Sequence, residues 1–155
     1  MVLKVFTDGG SKGNPGPSSI GMVFYLDSKK VFEHKESIGI ATNNDAEYTA
    51  LIRALEVILL SFRPIRQPVE SGEIFKRSLH FSRDDKKNIN KIKFNSDSKL
   101  MVNQVNGLFK VKNGRIKEYI LKIRTLEMEI DLPISYVHIP REKNTVADGL
   151  VNSVT

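Results

Sequence analysis

The chain has 155 residues, a length that allows one domain around a single buried core. Hydrophobic residues make up 40% and charged residues 27%, which excludes a disordered chain, a collagen-like repeat and a pure coiled coil. It contains no cysteine, so disulfide bonds and thiolate sites are excluded as well. No apolar run approaches the ~20 residues of a membrane-spanning helix, and the N-terminus lacks a secretory pattern. We therefore expect a soluble, cytoplasmic protein, with a monomer as the default state.

The net charge of +6 is unevenly distributed along the chain. Residues 1–62 contain 6 Lys and Arg against 7 Asp and Glu, whereas residues 63–155 contain 18 against 11. Such an asymmetry is typical of proteins that bind a polyanion, most often nucleic acid. Solubility alone also explains a positive charge of this size, so the charge leaves both interpretations open.

The first part of the chain predicts three strands followed by a helix. Runs rich in β-formers, separated by turn residues at 8–17 and 27–30, indicate an antiparallel meander. Its strands are expected at 2–7, 20–26 and 31–40. From 45 to 62 the apolar residues recur at helical spacing, with Asn43 or Asn44 available as the N-cap.

Residues 63–90 interrupt this pattern and predict an inserted loop with one short ordered piece at 74–81. A connection of this length in a compact domain is either functional or disordered. Beyond it, the pattern predicts a strand at 91–96, helices at 98–106 and 115–130, a strand at 134–137 and a last helix at 144–152. The order βββαβααβα indicates a single α/β domain over 1–155 with a mixed sheet, in which the helix at 45–62 connects two parallel strands.

Four acidic residues fall where a merely solvated charge is not expected. Asp8 ends the first predicted strand and Asp97 follows the fourth, where α/β sheets usually bind ligands. Glu47 is in line with the apolar residues of its helix, and Asp148 lies between apolar pairs of the last helix. Carboxylates in apolar surroundings are costly unless they are paired or bind a metal ion, so together they predict a site for hard divalent cations, usually Mg²⁺. Each acid taken singly is equally well explained as a helix cap or a residue bordering the core.

The glycine-rich run GGSKGNPG lies directly after Asp8. It lacks the G-K-[ST] ending of a phosphate-binding loop and precedes no predicted helix, so its glycines and proline predict a hairpin turn. A turn beside Asp8 is still able to present backbone N–H groups to a nucleic-acid backbone.

Four segments of the chain resemble, in order, the four motifs of type 1 ribonuclease H, and they match its compact prokaryotic branch most closely. These segments are TDGGSKGNPGPSSIG, TNNDAEYTALIRALE, NSDSKLMVNQVNGLFKVKN and PREKNTVADGL. The resemblance covers nearly the whole chain outside residues 63–90. It implies the ribonuclease H fold, a mixed five-stranded sheet with helices on both faces. It also implies endonucleolytic hydrolysis of the RNA strand of an RNA–DNA hybrid, which leaves 5′-phosphate and 3′-hydroxyl ends.

The resemblance also implies roles for residues at matching positions. The four acids, Asp8, Glu47, Asp97 and Asp148, would hold two Mg²⁺ ions, for which Mn²⁺ should substitute. The positions that match substrate contacts are Gly9, Asn14, Asn43, Asn44, Glu47 and Gln104. The asparagines would contact the minor groove and the 2′-hydroxyl that distinguishes RNA from DNA, although Asn43 or Asn44 is also available as a helix cap.

The sequence departs from the family pattern in two places. Many members carry a histidine in the loop before the last acid, whereas this chain has Arg141, our candidate for an auxiliary catalytic role. His138, which ends the preceding strand, is the other residue open for this role, although we favour a packing role for it. The chain also lacks tryptophan and the Trp- and Lys-rich handle of other members. Phosphate contact is therefore expected either from the basic insertion or from Lys110, Lys112, Arg115 and Lys117.

Three functions remain open on the sequence alone. The first is a metal-dependent ribonuclease that acts on RNA–DNA hybrids. The second keeps this chemistry and extends it to double-stranded RNA, because both duplexes are near A-form and the handle is missing. The third is a non-catalytic module that binds hybrid or RNA, which predicts at least one damaged acid, whereas all four acids are present.

Overall fold

The computed structural model describes residues 1–62 and 83–154. Its strands are β1 (Val2–Ser11), β2 (Gly16–Leu26), β3 (Lys29–Ala41), β4 (Lys91–Ser96) and β5 (Ile134–His138). Its helices are α1 (Asn43–Phe62), α2 (Arg83–Asn88), α3 (Lys99–Val105), α4 (Gly114–Ile130) and α5 (Thr145–Asn152), with a 3₁₀ turn at Arg141–Lys143 before α5. None of the helices in these two ranges is both long and apolar enough to cross a lipid bilayer.

The strands form one sheet in the order β3-β2-β1-β4-β5. The pairs β1–β2 and β2–β3 are antiparallel, whereas β4 is parallel to both β1 and β5. Helix α1 packs on β1 and β2 with α4 beside it, and α5 packs on the same two strands from the opposite face. This confirms the predicted fold class, a mixed five-stranded sheet with helices on both faces.

The first hairpin is longer than predicted, and this changes the place of Asp8. Gly9 and Gly10 pair with β2, so β1 continues to Ser11 and the turn is confined to 12–15, which contains a cis Asn14–Pro15 peptide bond. Asp8 therefore lies within β1 rather than at its end. The parallel pairing of β1 with β4, however, stops at Thr7. Asp8 thus lies where these two strands separate and leave space for side chains.

Helix α1 begins at Asn43, and the predicted N-cap was wrong. The Asp45 N–H donates to Thr42 Oγ1 at 3.1 Å, and the Thr42 N–H donates to Asp45 Oδ2 at 3.4 Å. This reciprocal pair has the pattern of a capping box, so Thr42 caps the helix. The side chains of Asn43 and Asn44 are consequently left for other contacts.

The predicted insertion lies mostly outside the described residues, and so does the ordered piece expected at 74–81. Its last part is not a loop, because residues Arg83–Asn88 form α2. Ile89 follows it and is 3% exposed, and the Asn90 N–H donates to the Met1 carbonyl at 3.0 Å. These contacts order the chain directly before β4. The single domain with an insertion at 63–90 stays a prediction.

The core lies mainly between the sheet and α1. Its largest fully buried side chains include Tyr48, Leu51 and Leu55 of α1, which pack with Phe24 of β2 and Ile92 of β4. These positions follow the helical spacing and the strand alternation of the sequence. The core fixes α1 against the strands and therefore fixes the position of any polar side chain that α1 carries.

Candidate active site

Three predicted acids meet at the point where β1 and β4 separate. Asp8 comes from β1, Glu47 from the start of α1, and Asp97 directly follows β4. One carboxylate oxygen of each lies within 4.8 Å of the others. Asp8 is 6% exposed and Glu47 is 9% exposed, whereas Asp97 is half-buried. Such close carboxylates repel one another unless they share protons or a cation.

Asp148 and Arg141 lie beside this cluster. Asp148, in α5, is close enough to hydrogen-bond with Asp8, and its side chain is 31% exposed. Arg141 lies in the 3₁₀ turn, and its Nη2 is 3.6 Å from Asp148 Oδ1. All four acids and Arg141 line one cleft of about 430 Å³. The structure therefore places the predicted acids and the predicted auxiliary residue around a common space.

A glycine allows Glu47 to approach Asp8. A Cβ atom at Gly9 would lie 2.3 Å from the Ala46 carbonyl carbon and 2.6 Å from the Glu47 nitrogen, so only glycine fits this contact between β1 and α1. The Gly9 backbone N–H also hydrogen-bonds to the Glu47 carboxylate. Gly9, predicted to bind substrate, thus has a clear structural role in forming the acid cluster.

Burial and repulsion between carboxylates make Asp8 and Glu47 hard to ionise. Burial is the main cause that raises the pKa of Asp8 to about 7, with repulsion from Asp97 second. Burial, followed by repulsion from Asp8, also raises the pKa of Glu47 well above its usual range. Asp8 and Glu47 therefore hold protons more readily than ordinary carboxyl groups do, and a nearby cation would compensate their charge.

The donor atoms suit a hard divalent cation. Glu47 Oε2 is buried and has no hydrogen-bond partner among the described residues. An orphaned carboxylate oxygen of this kind is expensive to bury, and a metal ion would satisfy it. The available ligand atoms of the cluster are all carboxylate oxygens, which Mg²⁺ and Mn²⁺ prefer over softer ligands.

The predicted asparagines connect the hairpin turn to the start of α1, beside the acids. Asn43 Oδ1 accepts from the Ser11 N–H at 2.8 Å, and Asn14 Oδ1 accepts from the Asn43 N–H at 3.0 Å. Asn43 is exposed and lines the cleft, and Asn14 is exposed in the turn. Asn44 follows in α1 and is half-buried. Within residues 1–62 and 83–154, neither the Asn14 nor the Asn43 amide nitrogen has a hydrogen-bond acceptor, so both can donate to a ligand.

Other predicted residues lie outside the lining of this cleft. Gln104 is in α3, where its Oε1 accepts from the Tyr48 hydroxyl at 2.7 Å. Lys110 and Lys112 are exposed in the irregular segment between α3 and α4. His138 ends β5 but is exposed, so its predicted packing role is wrong. None of these four is among the described residues that line the cleft.

Comparison with known proteins identifies the family. The family model described as RNase H matches residues 2–154 of the chain. The chain belongs to the RNase H family. A bifunctional protein of Mycobacterium tuberculosis is 33% identical over 154 residues, which is 98% of this chain and 35% of that protein. Ribonuclease HI of Halobacterium salinarum is 33% identical over 151 residues, which is 97% of this chain and 62% of that protein. The chain thus spans about a third of the former and less than two thirds of the latter.

Solved structures of RNase H1 proteins have the same fold. LC11-RNase H1, a protein isolated from compost, was crystallised in complex with an RNA/DNA hybrid. It is 37% identical, with a TM-score of 0.76 over 97% of this chain and 94% of that one. The RNase H1 of Halobacterium salinarum is 30% identical, with a TM-score of 0.74 over 98% of this chain and 96% of that one.

Two residues of this RNase H domain that adjoin the acids were not predicted as functional. Lys12 is exposed in the hairpin turn and lines the cleft, where it adds a positive charge. The sequence feature that could have identified Lys12 as functional is its position in the glycine-rich run that follows Asp8. Asn144 precedes α5, is 1% exposed and contacts Asp97. The sequence indicated only that a helix starts at this asparagine.

Proposed function

We propose that this chain is a metal-dependent endoribonuclease that hydrolyses the RNA strand of RNA–DNA hybrids. The observation that carries the proposal is the cluster of Asp8, Glu47 and Asp97, in a member of the RNase H family. A related structure of the same fold that holds an RNA/DNA hybrid supports the choice of substrate.

The four acids would hold two Mg²⁺ ions, for which Mn²⁺ would substitute. When bound, the ions would supply an activated water and neutralise charge on the phosphorane and the leaving oxygen. Asp8 and Glu47 are fixed by the packing of α1 on β1, so they provide rigid ligands. Asp148 lines the same cleft and is more exposed than Asp8 and Glu47.

Hydrolysis forms a bond from a water oxygen to phosphorus and breaks the P–O3′ bond, so the products carry 5′-phosphate and 3′-hydroxyl ends. The attacking water gives up a proton to solvent, and the leaving 3′ oxygen gains one. The Arg141 side chain offers several N–H donors in a planar fork, which suits phosphate binding better than proton transfer. Its auxiliary role is to stabilise negative charge on the phosphate, which its position beside Asp148 allows.

Recognition of the hybrid uses residues around and beyond the cleft. Asn14, Asn43 and Asn44 carry amides that donate and accept, which suits the RNA 2′-hydroxyl and the minor-groove edge. The backbone at Gly9 also contacts the RNA strand. Gln104, Lys110 and Lys112 extend the contact surface away from the acids, with the two lysines binding phosphates.

The test uses one labelled sequence presented as RNA–DNA hybrid, as double-stranded RNA and as single-stranded RNA. We expect the wild-type protein to cut the RNA strand of the hybrid in Mg²⁺ or Mn²⁺. We expect Asp8→Asn to abolish this cutting, while Asp27→Asn, which alters an exposed acid in the β2–β3 turn, retains it. Comparable cutting of double-stranded RNA would extend the substrate range. Binding of the hybrid without cutting in either metal would contradict the proposal and favour a binding module.

A further inference from the structure

Asn144 is a buried polar side chain that contacts two of the segments that carry the acids. It is 1% exposed. Its Nδ2 donates to the Thr7 carbonyl at 3.0 Å and to Asp97 Oδ2 at 3.4 Å. Thr7 directly precedes Asp8 in β1. One amide group thus joins the backbone beside Asp8 to the carboxylate of Asp97.

The backbone of Asn144 joins a third segment. Its carbonyl oxygen accepts from the Asp148 N–H at 3.0 Å in the first turn of α5. Asn144 therefore contacts the end of the β1–β4 pairing, the Asp97 side chain and the helix that carries Asp148. These three segments are distant in sequence, so their relative positions depend on tertiary contacts such as these.

The side chain of Asn144 does not stabilise its own helix. Asparagine before a helix usually accepts a hydrogen bond from the first turn, which contributes about 1 kcal/mol. Here the side chain makes no such bond, and the buried Oδ1 has no partner in the described part of the chain. Both features disfavour the observed conformation. The contacts made by Nδ2 are therefore what orients this amide.

We propose that Asn144 is a positioning residue of the metal site. It holds the Asp97 carboxylate beside Thr7, where the pairing of β1 with β4 ends, and so fixes its position relative to Asp8. A neutral donor suits this task because a lysine or arginine at the same place would compete with the cation for the carboxylate. The inference rests on the proposed function, since it assumes that the acids bind a divalent cation.

The chain offers a matched control in Asn95. It is 4% exposed in β4, and its Nδ2 donates to the carbonyls of Val5 and Lys93 at 3.4 and 3.5 Å. Asn95 thus resembles Asn144 in burial and in its contact with β1, but its described hydrogen bonds reach only backbone oxygens. Removing either amide should lower stability, whereas only Asn144 should affect the metal ligands.

The test measures thermal unfolding of the wild type, Asn144→Ala, Asn144→Ser and Asn95→Ala, first in EDTA and then across Mg²⁺ and Mn²⁺ titrations without substrate. Serine is a good helix cap that is too short for both contacts, so it maintains the fold and separates capping from positioning. We expect both Asn144 variants to need about 10–100-fold more metal for half-maximal stabilisation. Asn95→Ala should stay within about 2-fold of the wild type. At fixed Mg²⁺, kcat should fall in the Asn144 variants while KM for the hybrid is unchanged.

Two results would overturn the inference. One is a metal midpoint in Asn144→Ser equal to that of the wild type, and the other is an equal shift in Asn95→Ala. If the wild type itself shows neither stabilisation by metal nor cleavage, the proposed function fails together with this inference. If the wild type binds metal and cuts the hybrid, and the Asn144 variants bind metal equally well, then only the positioning role is refuted.

Discussion

At the scale of single residues, Asp8 combines the proposed metal-binding role with a cost to stability. Burial, with repulsion from Asp97 second, raises its pKa to about 7 in the folded chain. Between its unfolded pKa of about 4 and its folded pKa, the native state binds more protons than the unfolded chain. Stability of the metal-free protein therefore falls as the pH rises through this window, and a cation at the cluster should restore it.

Replacing Asp8 by asparagine should stabilise the metal-free protein at pH 8. The change removes a charge that is expensive to bury, so we expect Tm in EDTA to rise by roughly 4 °C or more, given about 2–4 °C per kcal/mol at this size. At pH 5 only the first part of this window has been crossed, so the gain should be about a third of that at pH 8. Thermal unfolding at both pH values checks this, with Asp27→Asn as the control. If Tm rises equally at both pH values, or falls at pH 8, the charge of the buried Asp8 carboxylate does not destabilise the metal-free protein.

Arg141 offers a second test at this scale. Its side chain is 80% exposed, so Arg141→Ala should leave Tm nearly unchanged. If its guanidinium stabilises charge on the phosphate, kcat on the hybrid should fall by about 10²-fold, with a small change in KM. Lys143→Ala changes an exposed cation in the same 3₁₀ turn and serves as the control. Equal kcat values for the two variants would rule out a specific role for Arg141.

At the scale of elements, the contact of β1 with α1 depends on Gly9. A methyl group there would overlap the backbone of Ala46, which is not able to move without displacing the helix. We expect Gly9→Ala to destabilise the fold by about 1–3 kcal/mol and to abolish cleavage, because Glu47 moves with α1. Gly149→Ala is the matched control, since nothing lies within 4 Å of its added Cβ and alanine favours a helix. Denaturant unfolding of both variants tests the contact, and equal stabilities would contradict it.

The elements could largely be predicted from the sequence, because strand alternation and helical spacing are local patterns. The errors arose where contacts between elements determine where a strand or helix begins or ends. Gly9 and Gly10 have low strand propensity, yet pairing with β2 keeps them extended. Thr42 and Asn43 are both good N-caps, and only the Asp45 contact selects Thr42.

The site was partly predictable for the same reason. Glu47 was recognisable because a carboxylate lay among apolar residues of one helix face. The contact of Asn144 with Asp97 was not, because it joins residues 47 positions apart in the chain. No local pattern encodes such a pair, and a buried asparagine before a helix is typical of an ordinary cap.

At the scale of the whole molecule, the positive charge should determine how tightly the hybrid binds. Each lysine that contacts a phosphate contributes about 0.9 to the slope of log K against log salt. In an Asp8→Asn background, which prevents cutting, Lys110→Ala/Lys112→Ala should therefore reduce the slope by about 2. The control is Lys29→Ala/Lys91→Ala. It removes the same charge from exposed positions at the end of the sheet that lies away from Asp8. Equal slopes for the two double variants would show that Lys110 and Lys112 act only through net charge.

The central claim is that the acid cluster hydrolyses the RNA strand of a hybrid with the help of a divalent cation. The most direct measurement compares wild-type protein with Asp97→Asn on one labelled hybrid, in Mg²⁺ and in EDTA, with the product ends mapped. We predict cutting of the RNA strand only, in Mg²⁺ only, to 5′-phosphate and 3′-hydroxyl ends. In Asp97→Asn the rate should fall by orders of magnitude while hybrid binding remains. Cutting that persists in EDTA, or at the wild-type rate in Asp97→Asn, would contradict the account.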